Sequence, residues 1–391
     1  GGIGFDINCG VRLMKTDLCF KDVESKLRNL VSDLFRYIPS GVGSKSKLRP
    51  NRKDFMKMMK EGARWAISQG YGNREDLEHI EENGCIENGD PELVSSRAID
   101  RGLPEIGTLG SGNHFIEVDI VEEIYDEKAA AKLGIFKDQI MLQVHTGSRG
   151  LGHQVCDDYI KVMIKSLGKY SIEVPDKQLC CAPLNSQEGK DYCSAMACAA
   201  NFAFVNRQVI KHFAEEAFLK ALSITPKKLG MSLIYDICHN IGKWEEHEVG
   251  GKKQKVFVHR KGATRAFGPN HPLIPKDYRD IGQPVLIPGD MGRYSFLMLG
   301  TQKAMEETFG SSCHGAGRML SRSQSSKSLQ GKDLIKEIED QGVMIAVQSK
   351  KTLGEEMPQA YKDVKDVVDV MDKSGISKKV AKFRPLAVTK G

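Results

Sequence analysis

No Cys-x-x-Cys pair occurs anywhere in the chain, although it holds ten cysteines. That absence removes a zinc-ribbon reading. The chain is also too long for a small secreted disulfide scaffold, and Cys180 and Cys181 are adjacent and poorly placed for ordinary bridges. Most of the cysteines therefore read as buried apolar residues in a reducing compartment, cytoplasmic and/or nuclear. No apolar stretch of about 18 residues is present, so no membrane span is expected. There is neither a signal peptide nor a Met at position 1. The chain opens in the middle of a glycine-rich motif, which is the expectation for a fragment without its natural N-terminus. Internal repeats and dividing linkers are missing too, and the only biased tract is a short Ser/Arg/Lys segment, Ser321 to Ser328, expected to be a loop.

What remains is a chain of 391 residues with 40% hydrophobic content, enough for one large core. One large mixed α/β (α+β) domain, residues 1–391, is expected. Net charge is +6, which permits an anionic substrate without requiring one. Ile3 to Asp17 reads as strand, tight loop and strand. Val23, Leu27, Leu30, Val31 and Leu34 give Asp22 to Tyr37 helical spacing. Gly41 to Pro50 is a basic loop. Phe55 to Gln69 and Asp76 to Asn83 read as charged helices, within a helical insert at about 46–100 that projects or forms a solvated face. Strands are expected at the end of Gly107 to Asp119, at Ile140 to Val144, Leu233 to Asp236, Lys255 to His259 and Val285 to Ile287. Helices are expected over Val155 to Leu167, Tyr192 to Leu222, Leu334 to Gln341 and Met357 to Val370. One pattern recurs at His114, His145, His239 and Gly289: a short apolar strand ends and a polar, glycine-rich loop follows. Rigid strands that present loops at one edge commonly assemble an active site.

The chemistry concentrates in those loops. Asp6 and Cys9, three residues apart between glycines, can face one metal ion. His114, His145 and His239 are matching imidazole partners, each with small neighbours. A mixed O, S and N set suits a borderline divalent metal such as Mn, Zn, Fe or Co. A single thiolate can also bridge two ions, and two ions a few ångström apart would clamp a phosphoryl transfer. His79, His153, His212, His247 and His271 lack such settings and read as structural. His314 stands apart, followed by Gly315-Ala316-Gly317-Arg318 and then Arg322. Backbone N–H groups in such a loop can cradle phosphate, and arginines can pair with it. A neutral imidazole facing phosphorus is a competent nucleophile. His314 as one more metal ligand is the other reading, and residue chemistry does not separate the two. Arg149, Arg260, Lys261 and Arg265 add cationic groups in glycine-rich loops, a setting that favours phosphate contacts.

Four runs now carry a resemblance. They are Gly4-Phe5-Asp6-Ile7-Asn8-Cys9-Gly10-Val11-Arg12, Gly107 to His114, His145 to His153, and His314-Gly315-Ala316-Gly317-Arg318. With the tail Gly375 to Lys379, Arg384-Pro385-Leu386 and Lys390-Gly391, they make the chain resemble, end to end, the RtcB family of RNA-splicing ligases. The tail and His259 to Arg265 are more similar to archaeal and eukaryotic members. The resemblance implies an RtcB-like domain whose strands present His/Gly loops to a central metal and nucleotide cleft. It implies a GTP- and Mn(II)-dependent ligase that joins RNA 2′,3′-cyclic phosphate or 3′-phosphate ends to 5′-hydroxyl ends. His314 would take GMP from GTP and pass it to the RNA 3′-phosphate, and the 5′-hydroxyl would displace it. Two Mn(II) ions would be held by Asp6, Cys9, His114, His145 and His239, with Cys9 bridging. The guanylate set would be Asn113, His114, Phe115, Ile116, Glu117, His239, Asn240, Pro288, Gly289, Asp290, Met291, Ser295, His314, Gly315, Ala316, Gly317 and Lys390. Arg149, Arg318 and Arg322 would hold RNA phosphates or the triphosphate. Implied partners are RNA, tRNA halves above all, with an archease activator and a helicase-containing ligase complex.

Two departures stand out. The family has a further stretch before Gly1, and Asp290 stands where a small hydroxyl residue is expected. Two other function classes fit the same ligands. A two-metal phosphohydrolase or nuclease would use His314 only as a ligand and need no GTP. An RNA-binding subunit of a larger assembly would be inactive, although such a scaffold need not keep the ligand set and His314.

Overall fold

The computed structural model describes residues 2–328 and 333–391. Twelve strands follow in chain order: β1 (Gly10–Cys19), β2 (Phe115–Ile124), β3 (Gln139–Thr146), β4 (Ser232–Cys238), β5 (Asn240–Val249), β6 (Lys252–Lys261), β7 (Ala263–Arg265), β8 (Pro284–Ile287), β9 (Ser295–Gly300), β10 (Ser311–Cys313), β11 (Met344–Val347) and β12 (Ser377–Lys390). Eight of them form one sheet in the order β4-β1-β3-β2-β12-β9-β8, with β11 also paired to β12. β12 runs antiparallel to β2 along its length. Its opposite side pairs first with β9, antiparallel, and then with β11, parallel. β5–β6 and β7–β10 are separate two-stranded sheets.

The alternation of strand side chains explains the layering. Ile140, Leu142 and Val144 of β3 face one core, together with Ile116, Val118 and Ile120 of β2. Met141 of β3 faces the other, with Val11, Leu13, Val121 and Phe383. The first core is covered by helices. Chief among them is the 36-residue helix Gln187–Leu222, capped by Ser186, whose hydroxyl accepts from Gly189 N. Helices Arg149–Ser166, Leu27–Tyr37, Arg52–Glu61 and Ala63–Ser68 pack on it. The mixed α/β single domain is thus as expected.

Several details differ from the sequence reading. Ile3 to Asn8 is a chain of turns, with Gly4 and Asn8 both at positive φ, which a strand does not take; only β1 follows. Gly1, which opens that run, lies outside the described residues. The charged segments within 46–100 do not project. Phe55, Met58, Met59, Ala63 and Ala66 are fully buried against the long helix, and only their polar faces meet solvent. Ser321 to Ser328 is not a loop: Arg322–Ser328 is helical. Met357 to Val370 splits into a turn at Pro358–Ala360 and the helix Val364–Ser374, since Pro358 cannot sit inside a helix. Asp76 to Asn83 is a single turn at Glu75–Glu78 and a short 3₁₀ segment. β5 has no counterpart in the sequence reading.

Register places the chemistry. Gly10 of β1 pairs with Thr146 of β3 and with Cys238 of β4. Phe115 of β2 pairs with His145 of β3 and with Lys390 of β12. One row across the sheet edge therefore carries Cys238, Gly10, His145 or Thr146, Phe115 and Lys390. Every loop leaving that row enters the same space.

Candidate active site

Cys9 sits at the centre of that space. Its Sγ lies 3.4 Å from His114 Nε2 and 3.3 Å from His145 Nε2. His145 Nε2 is 3.2 Å from His239 Nε2, and His114 Nε2 is 2.8 Å from Asp6 Oδ2. Two ligand groups result, Cys9 with His145 and His239, and Asp6 with Cys9 and His114. The five residues expected as ligands are thus together, and Cys9 is common to both groups. His145 ends β3 and His239 follows β4, as expected. His114 instead precedes β2, where the antiparallel direction brings it to the same edge.

The donor chemistry fits divalent metal. Burial, with neighbouring His114 and His314 for His145 and with His314 and His145 for His239, pushes both imidazoles well below their ordinary value, so both are neutral. His114 Nδ1 lies 3.0 Å from Leu109 O, which leaves Nε2 for a ligand. Burial raises the Cys9 thiol, and Asp6 raises it further. Without a cation the thiol keeps its proton; a coordinated cation removes it. Burial would raise Asp6 too, but its hydrogen bond with His114 and the charges of His114, His153 and Arg149 outweigh burial and hold it well below the usual carboxylate range. The N-terminus of helix Arg149–Ser166 also points at it: Arg149 N donates to Asp6 Oδ1 at 3.2 Å and Ser148 Oγ lies 3.3 Å away.

A buried network behind the loop fixes it. Arg207, fully buried, pairs with Asp236 at 2.8 Å and donates to Asn8 O, Asn8 Oδ1 and Thr146 O at 2.8, 2.9 and 3.0 Å. Asn8 takes the left-handed conformation, φ 52°, that turns Cys9 back toward the histidines. Gly147 leaves room for Asp6: a Cβ there would sit 2.5 Å from Asp6 Oδ2.

Beside the ligand cluster lies a cavity of about 250 Å³, walled by Asn113, Phe115, Glu117, Pro288 to Met291, Ser295, His314 to Arg318, Arg322 and Lys390. His145 is its wall toward the ligand cluster, and the His314 ring lies 4.8 Å from that of His239. Burial lowers the His314 imidazole and a hydrogen bond with the Gly262 backbone partly restores it, so the ring is held neutral. The Nδ1–Cε1 side of that ring faces Gly262. Glu117 is buried and pushed well up, by burial first and then by the charge and hydrogen bond of Asp119, whereas burial alone raises Asp119, to about 6, against hydrogen bonds with Gln143 and Glu117. Burial lowers Lys390 to about 8 against the pull of Glu356 and Glu117.

The tRNA-splicing ligase RtcB family profile matches residues 1–391. The chain belongs to this family. It is 52% identical over 391 residues to the tRNA-splicing ligase RtcB of Archaeoglobus fulgidus, covering all of this chain and 81% of that relative. Against the namesake of Methanococcus maripaludis it is 52% identical, again over the whole chain and 82% of the relative. The Pyrococcus abyssi tRNA-splicing ligase RtcB is 51% identical over 384 residues, where the chain spans 42% of a longer protein.

Not every residue of the RtcB-derived set lines the cavity. Ile116 points into the core on the opposite side of β2. Asn240 lies against the metal loop, donating to Asp6 O at 3.3 Å. Arg149 is buried behind Asp6, 3.4 Å from Thr108 Oγ1. Asp290 is tied into its own turn: Gly292 N donates to Oδ1 at 3.1 Å and Arg293 Nε to Oδ2 at 2.6 Å. Glu356 and Tyr361 line the cavity and escape sequence reasoning. Glu356 binds Arg318 at 2.9 Å and Arg322 at 3.1 Å, holding the two arginines as a pair. Glu355-Glu356 reads as ordinary surface acid, and nothing in the sequence distinguishes it.

Proposed function

We propose that the chain is a GTP-dependent RNA ligase that joins 2′,3′-cyclic phosphate or 3′-phosphate ends to 5′-hydroxyl ends, tRNA halves being the expected substrates. The observation that carries this reading is the neutral His314 between a nucleotide-sized cavity and a ligand cluster centred on one thiol. Asp6, Cys9, His114, His145 and His239 would hold two Mn(II) ions, which when bound offset the charge of crowded phosphates. His314 Nε2, the ring nitrogen away from the Nδ1–Cε1 side that meets Gly262, would attack the α-phosphorus of GTP, with pyrophosphate leaving. GMP would then move to the RNA 3′-phosphate and be displaced by the 5′-hydroxyl. Glu117 can accept from guanine N1–H and N2–H once its proton is shared with Asp119, and Lys390 can donate to the base oxygen. Phe115 offers a flat wall. Arg318 and Arg322, oriented by Glu356, suit phosphate oxygens. Asp290, neutralised by Arg293, does not repel them. Ten free thiols accord with work in a reducing compartment.

The test is intact-protein mass after incubation with GTP and Mn(II), beside an EDTA control. A metal-dependent, acid-labile gain of one GMP supports the reading. A metal-dependent phosphodiesterase activity with no GMP gain would instead favour a two-metal hydrolase.

A further inference from the structure

The hairpin of β5 and β6 stands outside the main sheet, yet its base is built into the site. Asn240 pairs with Lys261, Asn240 Nδ2 reaches Asp6 O, and Gly262 N donates to His239 O at 3.0 Å. Its inner face is buried through Ile241, Lys243, Glu245 and His247. Its outer face carries Trp244, 51% exposed, opposite Phe257, with His259 next along the strand. The three rings form a run: Trp244 to Phe257 at 5.3 Å and Phe257 to His259 at 5.2 Å, both edge-on. Gly242 makes room for this, since a Cβ there would lie 2.4 Å from the Phe257 ring and 3.2 Å from Ile3 of the metal loop.

A groove of about 840 Å³ runs along this face, with Leu184, Asn185 and Lys190 on its far wall. Lys255 lies 5.8 Å from the Trp244 ring. Among the described residues neither Lys190 nor Lys255 makes an ion pair, whereas the acids of the groove are neutralised: Glu82 by Lys243 and Arg265, Glu87 by Arg64. Across the hairpin Glu246 and Glu248 stand opposite Lys255 and Lys253 in register without an ion pair among the described residues, so Lys255 and Lys190 are the groove's unpaired cations.

We propose that this groove holds a single-stranded segment of the substrate RNA, one base stacked on Trp244 and the adjoining phosphates against Lys255 and Lys190. The proposal rests on the ligase reading above. Aromatic faces interleaved with lysines are the arrangement that binds unpaired nucleotides without reading sequence. The hairpin that walls the groove is rooted at Asp6 and His239 through Asn240 and Gly262, which ties the groove to the site rather than leaving it an isolated patch.

The chain has two tryptophans, and Trp65 is buried, so Trp244 is the emission that RNA would change. Full-length protein with Mn(II) is titrated with a fluorescein-labelled oligouridylate carrying a 3′-phosphate, and anisotropy and tryptophan emission are followed together. Quenching should track binding. Trp244→Ala should weaken binding about 5- to 100-fold, Trp244→Phe should largely restore it, and Lys255→Gln should lower the salt slope by about 0.7. GMP gain without RNA should be unchanged in all three. Wild-type affinity in a Trp244→Ala protein that still takes GMP overturns the groove, as does unchanged emission of the wild-type protein on saturation with the oligouridylate. So does equal quenching by polyglutamate, which would mark a protein-docking surface. A wild-type protein that neither takes GMP nor ligates fails at the ligase reading itself, and the groove falls with it.

Discussion

Cys9 belongs to two ligand groups at once, and no other described residue does, which makes it the point where the site is most fragile. Cys9→Ala should abolish tight metal binding, read as metal content by mass spectrometry after desalting; unchanged content would refute the shared role. His314 belongs to neither group, although its ring packs 4.8 Å from that of His239. His314→Ala should therefore lose the GMP gain entirely while keeping most of the metal, and loss of both together would sink its assignment as nucleophile. Asp119 supplies the pH dependence. Burial raises it to about 6, so the folded protein keeps a proton that an ordinary carboxyl releases at about pH 4. That contribution is present at low pH and is lost as pH rises through about 6. Asp119→Asn, which can still accept from Gln143, should flatten the fall by the order of 2 kcal/mol in urea titrations at pH 4 and 7.

The elements that hold these residues are legible to different degrees. Gly-Asn-His, Val-His-Thr-Gly and Cys-His-Asn announce strand ends because glycine and small polar residues weaken a strand interior, and that is how Asp6, Cys9, His114, His145 and His239 could be grouped from residues alone. β5 was not legible, since Trp244, Glu246 and Glu248 alternate with buried Lys243, Glu245 and His247, and the buried face is polar. Its burial depends on partners distant in sequence: Lys243 on Glu81, Glu245 on Arg260. Glu356 was invisible for the same reason, because its role is set by two arginines more than thirty residues away. The turn after β3 is the element most open to test. Gly147→Ala pushes a methyl group onto the Asp6 carboxylate, so it should weaken metal binding well before it lowers folding stability, as a titration with Mn(II) beside a melting curve would show.

At the scale of the molecule, the site is held together by buried charge rather than by its own contacts. Arg207 ties the long helix to the metal loop, β3 and β4 in one stroke. Arg207→Met would leave Asp236 with Arg12 alone and remove the guanidinium donor from three carbonyl oxygens, at a cost of about 3–5 kcal/mol in urea unfolding. The row across the sheet edge has a further consequence. Its members lie far apart in sequence, from Gly10, which follows the metal loop, to Lys390. During synthesis, at about 5–20 residues per second, the ribosome delivers Asp6 and Cys9 tens of seconds before Lys390. For that interval the nascent thiol is an incomplete chelator, open to whatever soft cation the cell contains, and the cavity beside it closes only once β12 has been made.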